Sequence, residues 1–174
     1  QEKLDVACAE LTKEFGVKAC GVAADVRNFP VLEVSMQQAQ DALGPMHVLV
    51  CGAAGNFPCP AEVLSPNGFK SVIDIDLLGS FYSCRAAFPQ LQQTRGSVIF
   101  ISAGQAFLPY AMQVHVGAAK AGIDNMMKNL ALEWGRHGIR CNSVAPGPIE
   151  GTEGVKRLLP DNAKEKMIEA IPLQ

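Results

Sequence analysis

Apolar positions along the opening of the chain switch between two periods. Leu4, Ala7, Cys8, Leu11 and Phe15 recur at the spacing of one helical face, and Gly16 supplies a stop. Lys18 to Ala24 is a short apolar run that predicts a strand. Val31 to Leu43 returns to helical spacing, led by Pro30 and stopped by Gly44-Pro45. His47 to Cys51 is apolar without polar alternation, which predicts a strand buried on both faces. A Gly/Ala/Pro-rich loop separates it from one long helix over Asn67 to Leu91, where the Gly79-Ser80 pair leaves room for another backbone. Ser97 to Ser102 predicts a third strand and Val114 to Arg136 a second long helix that ends before Gly138. Ile139 to Val144 predicts a fourth strand, followed by a Pro-rich loop and short helices.

Strands that alternate with helices give an α/β domain, 1–174, with a Rossmann-like, doubly wound parallel sheet. In such sheets ligands lie beyond the carboxyl ends of the strands. That rule selects four loops: Ala24 to Arg27, Gly52 to Pro60, Ala103 to Gln113 and Ala145 to Thr152. A dinucleotide-binding sheet begins with a strand, a Gly-rich turn and a helix. No such glycine pattern precedes Gln1, and the usual last strand does not follow. The expectation is therefore an incomplete fragment that lacks the first Gly-rich βα unit and the last strand.

Composition narrows the class. The 174 residues are 48% hydrophobic with few aromatics, ordinary for an α/β protein with a core. A net charge of −2 without a basic run argues against nucleic acid as a partner. No apolar run is long enough for a membrane span. The six cysteines (Cys8, Cys20, Cys51, Cys59, Cys84, Cys141) are scattered, which fits buried, reduced thiols in an intracellular protein. His47, His115 and His137 lack metal-ligand spacing, so no metal is expected.

Each selected loop and both long helices carry candidate chemistry beside a plainer alternative. Asp25 in Ala24-Asp25-Val26-Arg27 can accept from an adenine amino group while Val26 packs on the ring, or Asp25 simply opens a turn. Arg27 can grip a phosphate or be solvated. The small residues of Gly52-Ala53-Ala54-Gly55-Asn56-Phe57 allow close approach of a cofactor, or pack under a helix. Phe57 lies along an apolar substrate or plugs the edge of the core. Asp74-Ile75-Asp76 interrupts an apolar helix, so one of the two acids is expected to face inward, where burial raises its pKa. Lys120 sits among Gly117, Ala118, Ala119 and Ala121, neighbours that suit a helix pressed against something. His115 is a proton donor or a packed, hydrogen-bonded histidine. Pro146-Gly147-Pro148-Ile149 is a rigid turn that can present main-chain groups to a carboxamide, and Thr152 can bond a phosphate.

Taken in order, these segments resemble the short-chain dehydrogenase/reductase superfamily over nearly the whole chain. The matching pieces are Ala24-Asp25-Val26, the Ala53-Ala54-Gly55 turn, the helix carrying Lys120, and Asn142-Ser143-Val144-Ala145-Pro146-Gly147. Within it the chain looks most like the peroxisomal 2,4-dienoyl-CoA reductases. That likeness rests on Cys51 to Phe57, Asp74-Ile75-Asp76, Gln113-Val114-His115, and Ala145 to Ile149 running on to Gly151-Thr152-Glu153-Gly154. Ordinary carbonyl reductases of the superfamily keep Asn-Asn-Ala-Gly and Tyr-x-x-x-Lys. Here Gly52 and Ala53 fill the asparagine positions, Asp76 the helix asparagine, Ala103 the serine and Val116 the tyrosine.

The resemblance implies NADPH-dependent reduction of 2,4-dienoyl-CoA to 3-enoyl-CoA in the oxidation of unsaturated fatty acids. The alternatives are reduction of 2-enoyl-CoA or 3-ketoacyl substrates, or an inactive nucleotide-binding subunit. It implies that Asp76 holds or delivers a proton through a water, with His115 a secondary candidate. Lys120 would bind the nicotinamide ribose, and Asp25 and Val26 the adenine. Ala54, Gly55, Pro146, Gly147, Pro148, Ile149, Gly151 and Thr152 would line the rest of the cofactor. Arg27, Asn56, Phe57, Ser65, Pro66, Asn67 and Arg157 would face an acyl-CoA thioester. It also implies a homotetramer paired through the long helices, in the peroxisome, with mitochondrion or cytosol as alternatives.

Overall fold

In the computed structural model, which describes residues 1–149, 151–152 and 169, three strands form one parallel sheet. They are β1 (Val48–Cys51), β2 (Ser97–Ile101) and β3 (Arg140–Val144), in spatial order β1-β2-β3. Val48 pairs with Ser97, and Ser97 with Arg140. Parallel neighbours need a crossover, and helices provide both. Between β1 and β2 run α3 (Pro66–Val72), a π-helical turn (Ile73–Leu78) and α4 (Gly79–Thr94); between β2 and β3 runs α5 (Val114–Trp134). Two helices precede the sheet, α1 (Glu2–Phe15) and α2 (Phe29–Leu43).

The core lies where one face of the sheet meets α4 and α5. Leu49, Phe100 and Ile139 from the sheet side pack with Cys84 and Leu91 of α4 and Ile123 of α5. Burying a side chain of the Leu91 or Phe100 type stabilises the fold by about 1.5–3 kcal/mol. Local signals set the helix ends. The Asn28 side chain accepts from Val31 N–H to start α2, and Ser65 Oγ accepts from Gly68 N–H to start α3 with Pro66 at its first turn. The chain leaves α5 through a short 3₁₀ turn and reverses at Gly138, whose φ of 75° is left-handed.

Four expectations change. Residues 18–24 are not a strand, because no described strand runs beside them to complete a hydrogen-bond ladder. The Gln1 side chain serves instead, donating to the Gly21 carbonyl (2.8 Å) and accepting from Ala23 N–H (3.2 Å). β1 is not buried on both faces: Leu49 and Cys51 face the helices, while Val48 and Val50 are 53% and 56% exposed. Its apolar letters reflect a second face that no described element covers. Only Cys51, Cys84 and Cys141 of the six cysteines are buried, with Cys8 and Cys59 partly so and Cys20 exposed. Burial, the first cause, holds the Cys141 thiol up at about 11.

The fourth change matters most. The long helix from Asn67 is broken by the π turn, which holds the Asp74-Ile75-Asp76 segment. A π turn adds a residue to a helical circuit and is common at functional sites. Ser80 Oγ donates to the Asp76 carbonyl (2.6 Å), which also accepts from the Gly79 N–H at the end of the turn. Just beyond it, Gly79 presses on the Ala24–Arg27 loop: a Cβ there would meet Val26 Cγ2 at 2.8 Å and Val26 Cβ at 3.0 Å. Gly79→Ala is expected to lower unfolding free energy by about 1 kcal/mol in urea titration. Overpacking of this kind costs about 1–3 kcal/mol and outweighs the gain in helix propensity. An unchanged or higher midpoint would mean that the Val26 contact yields freely.

Candidate functional site

Asp76 is the centre of the site. Its side chain is fully buried, at 0% exposure, and its two oxygens differ. Oδ1 accepts from Gly55 N–H at 2.7 Å. Oδ2 lies 3.4 Å from Lys120 Nζ, an ion-pair distance without hydrogen-bond alignment, and no hydrogen bond reaches that oxygen. Lys120 is itself 6% exposed and donates to the Ile101 carbonyl at the end of β2 (2.9 Å). Burial is the largest influence on the Asp76 carboxyl and raises its pKa; the Gly55 hydrogen bond, then Lys120, pull it back only partly. The site thus couples the loop after β1, the end of β2, the π turn and α5. Asp74, two residues earlier, points outward and pairs with Lys70 one turn before it.

His115 opens the buried face of α5. Its Nε2 lies 3.0 Å from the Phe57 carbonyl, and its ring tilts against the Phe57 ring with centroids 4.5 Å apart. Its Nδ1 is buried without a partner. Val116, at the position of the superfamily's tyrosine, is packed into an apolar cluster with Val72, Ala119 and Ile73. No acid occupies that position, and the surroundings suit an aliphatic side chain.

A second, more open feature lies at the neighbouring loop. Ala23, Ala24, Asp25, Val26, Arg27, Val31, Ala53 and Ile75 line a cleft of about 660 Å³. Asp25 and Arg27 meet fork to fork, with Nη2 2.6 Å from Oδ2 and Nε 3.0 Å from Oδ1, while Arg27 N–H also donates to Oδ1 (2.9 Å). This hydrogen bonding from Arg27 holds the Asp25 carboxyl down at about 2, although both side chains are half-exposed. Arg27 therefore stands with Asp25, in the cleft that also reaches Ala53 and the π turn.

The remaining expected residues divide by position. Ala54 and Asn56 are exposed on the loop after β1. Ser65, Pro66 and Asn67 are exposed at the start of α3, where the Ser65 hydroxyl is engaged as the helix cap. Pro146, Gly147, Pro148 and Ile149 follow β3, beside the loop after β2, where Ser102 N–H donates to the Val144 carbonyl (2.8 Å). Gly151 takes a left-handed φ of 78°, and Thr152 Oγ1 donates to the Ile149 carbonyl (2.8 Å). Arg157 lies outside the described residues. Ser102 and Gln113 received no role from the sequence, although Gln113 opens the Gln113-Val114-His115 segment. Each is buried, with Ser102 Oγ and Gln113 Oε1 lacking a hydrogen-bond partner. The signal was positional: one polar residue ends a strand and the other immediately precedes a long helix.

The residues present fit a dinucleotide. The cleft pairs a carboxylate acceptor with small and apolar wall residues, and Ala53 links it to Gly55 and the buried carboxyl, whose second oxygen has no hydrogen-bond partner. Among the described residues no group of three or more His, Cys, Asp or Glu side chains is placed to hold a metal, and no helix is long and apolar enough to cross a membrane.

A family model described as short chain dehydrogenase matches residues 1–163. The chain is 46% identical over 166 residues to a peroxisomal, (3E)-enoyl-CoA-producing 2,4-dienoyl-CoA reductase of Saccharomyces cerevisiae. That match takes in 95% of this chain and 57% of the yeast protein. It is 39% identical over 176 residues to a Bacillus subtilis protein named "Probable 2,4-dienoyl-CoA reductase [(2E)-enoyl-CoA-producing]", covering 99% of this chain and 69% of that one. A crystal structure of a short chain dehydrogenase from Bacillus anthracis superposes with a TM-score of 0.84 at 38% identity, over 99% of this chain and 68% of the other. The chain thus spans somewhat over half the length of the yeast relative.

Proposed function

We propose that this chain, which belongs to the short chain dehydrogenase family, works in a reductase that uses NADPH to convert 2,4-dienoyl-CoA to 3-enoyl-CoA. The observation that carries this reading is the buried Asp76 carboxyl between Gly55 N–H and Lys120, in a site whose tyrosine position is an aliphatic core residue. A carbonyl reductase needs a proton delivered to oxygen beside the hydride site, which is the tyrosine's task. A conjugated thioester does not. Its charge spreads to the thioester oxygen, and the final proton arrives on carbon. The likeness to reductases named for that substrate supports the same assignment.

The nicotinamide, when bound, supplies the hydride. The chain's own residues do the rest. Asp25 and Val26 take the adenine end of the cleft, with the Asp25–Arg27 fork holding the loop and the remaining Arg27 donors available to a CoA phosphate. Ala54 and Gly55 form a low rim, and Pro146 to Ile149 with Gly151 and Thr152 enclose the opposite side. Lys120, fixed by the Ile101 carbonyl, presents its charge to a ribose and to developing negative charge. Asp76 Oδ2, which lacks a hydrogen-bond partner, holds or hands over the proton through a water. Asn56, Phe57 and the Ser65-Pro66-Asn67 turn face the acyl-CoA, and Arg157 is assigned with them on the sequence likeness alone. The homotetramer built on the long helices and the peroxisomal location belong to the same reading, and rest on likeness to the peroxisomal relatives.

The test is NADPH oxidation by the full-length protein with a 2,4-dienoyl-CoA, a 2-enoyl-CoA and a 3-ketoacyl-CoA, with product identification. Turnover of the dienoyl substrate alone, giving the 3-enoyl isomer, is the expected outcome. A 2-enoyl product would align the chain with the type named for the Bacillus subtilis relative. Binding of NADPH without turnover of any substrate would replace the reductase by an inactive nucleotide-binding subunit.

A further inference from the structure

Both ends of the loop that supplies Gly55 are anchored, and the second anchor has no place in the chemistry above. Gly55 N–H is bound by Asp76, and two residues later the Phe57 carbonyl is bound by His115 Nε2. Farther on, Cys59 N–H donates to the Met112 carbonyl (3.0 Å), where Met112 takes an uncommon φ of 63°. The Phe57 ring is set between the His115 ring and Gly68 of α3, where a Cβ would come within 3.3 Å of Phe57 Cζ. His115 thus touches both the main chain and the ring of Phe57.

The proton on His115 follows from its partner. A carbonyl oxygen only accepts, so Nε2 carries the hydrogen. Nδ1 is fully buried with no partner. A proton placed there would be a buried donor with no acceptor, so the tautomer that leaves Nδ1 bare is the less costly one. With its one proton committed to Phe57, the ring has none to give to substrate.

We infer that His115 is a positioning residue: as the neutral Nε2–H tautomer it fixes Phe57, and through the short Gly55–Phe57 segment it keeps the Gly55 N–H on Asp76 and the Phe57 ring at the acyl-binding face. The part of this that concerns substrate rests on the reductase reading; the part that concerns the loop does not. Two variants separate a missing hydrogen bond from a missing ring. His115→Phe keeps an aromatic ring in the same space and removes the donor. His115→Gln loses the ring and offers an amide N–H near the position of Nε2.

Three readouts on the full-length protein test it. Nitrogen NMR of the histidines is expected to show His115 protonated at Nε2 and bare at Nδ1. Amide exchange at Gly55 is expected to accelerate about tenfold in His115→Phe and to return within about threefold of wild type in His115→Gln, the scale of one hydrogen bond. With dienoyl-CoA, His115→Phe is expected to raise KM about tenfold with a smaller fall in kcat and unchanged NADPH affinity, and His115→Gln to restore KM. A proton on Nδ1, or equal Gly55 exchange in wild type and His115→Phe, overturns the inference. So does a kcat collapse at constant KM in both variants, which makes His115 a proton-transfer group. If no acyl-CoA is turned over, the reductase reading fails while the NMR and exchange results still decide the role of His115.

Discussion

Asp76→Asn is expected to reduce dienoyl-CoA turnover about 100-fold or more while leaving NADPH binding within about threefold, because a positioned acid contributes on the order of 10²–10⁴. Asparagine has the size of aspartate and keeps an oxygen for Gly55 N–H, so the loop after β1 stays in place. What disappears is a group that can hold a proton at Oδ2. The pH profile sharpens the expectation. Burial raises the Asp76 pKa, so the folded acid keeps its proton to higher pH than a free aspartate. If the protonated form is the donor, kcat is present below that raised value and declines as pH rises through it. The Asn variant lacks that limb. Steady-state kcat against pH for both proteins is the measurement, and full activity in the variant would remove Asp76 from proton delivery.

Lys120→Met is expected to cost about 3 kcal/mol of unfolding free energy at pH 8, since removing one partner of a buried ion pair leaves the other uncompensated. Asp76 is fully buried, and in the variant the Gly55 N–H is the hydrogen bond left to its carboxylate among the described residues. The sign of the pH dependence is set by the raised pKa. Its stabilising contribution is full below the pKa of an unfolded aspartate and is lost as pH rises through the folded value. Without Lys120 the folded value climbs further, so the loss continues to higher pH. Urea titrations should therefore show the deficit opening as pH passes the wild-type value and narrowing towards pH 4. Asp76→Asn combined with Lys120→Met should recover much of it. A deficit equal at all pH values would mean that packing of the lysine stem, not charge, is what was lost.

How far the sequence could be read depended on what each residue answers to. Helices were legible because caps and periodicity are local: Gly16 and Gly138 mark ends where the spacing placed them, while the caps Asn28 and Ser65 start α2 at Phe29 and α3 at Pro66, slightly ahead of the Val31 and Asn67 read from spacing. The inward turn of one acid in Asp74-Ile75-Asp76 was legible from its apolar surroundings, and Asp76 is that acid. The 18–24 segment misled because an apolar run states an affinity for a sheet and not the presence of a neighbour. Val48 and Val50 misled for the same reason. The Phe57–His115 contact joins residues 58 positions apart, and the Asp25–Arg27 fork depends on side-chain rotamers. Neither leaves a periodic trace.

The π turn carries a consequence of another kind. Each residue of an α-helix advances the side chain about 100° around the axis. The extra residue accommodated between Val72 and Gly79 therefore sets which side of the rod Asp76 occupies relative to α4. Shortening the turn by one would leave every letter of the site intact and swing the carboxyl out of register with Gly55 and Lys120. The position of the acid is thus written in spacing as much as in identity, and a chain could lose this chemistry by deletion without changing any of the residues that perform it.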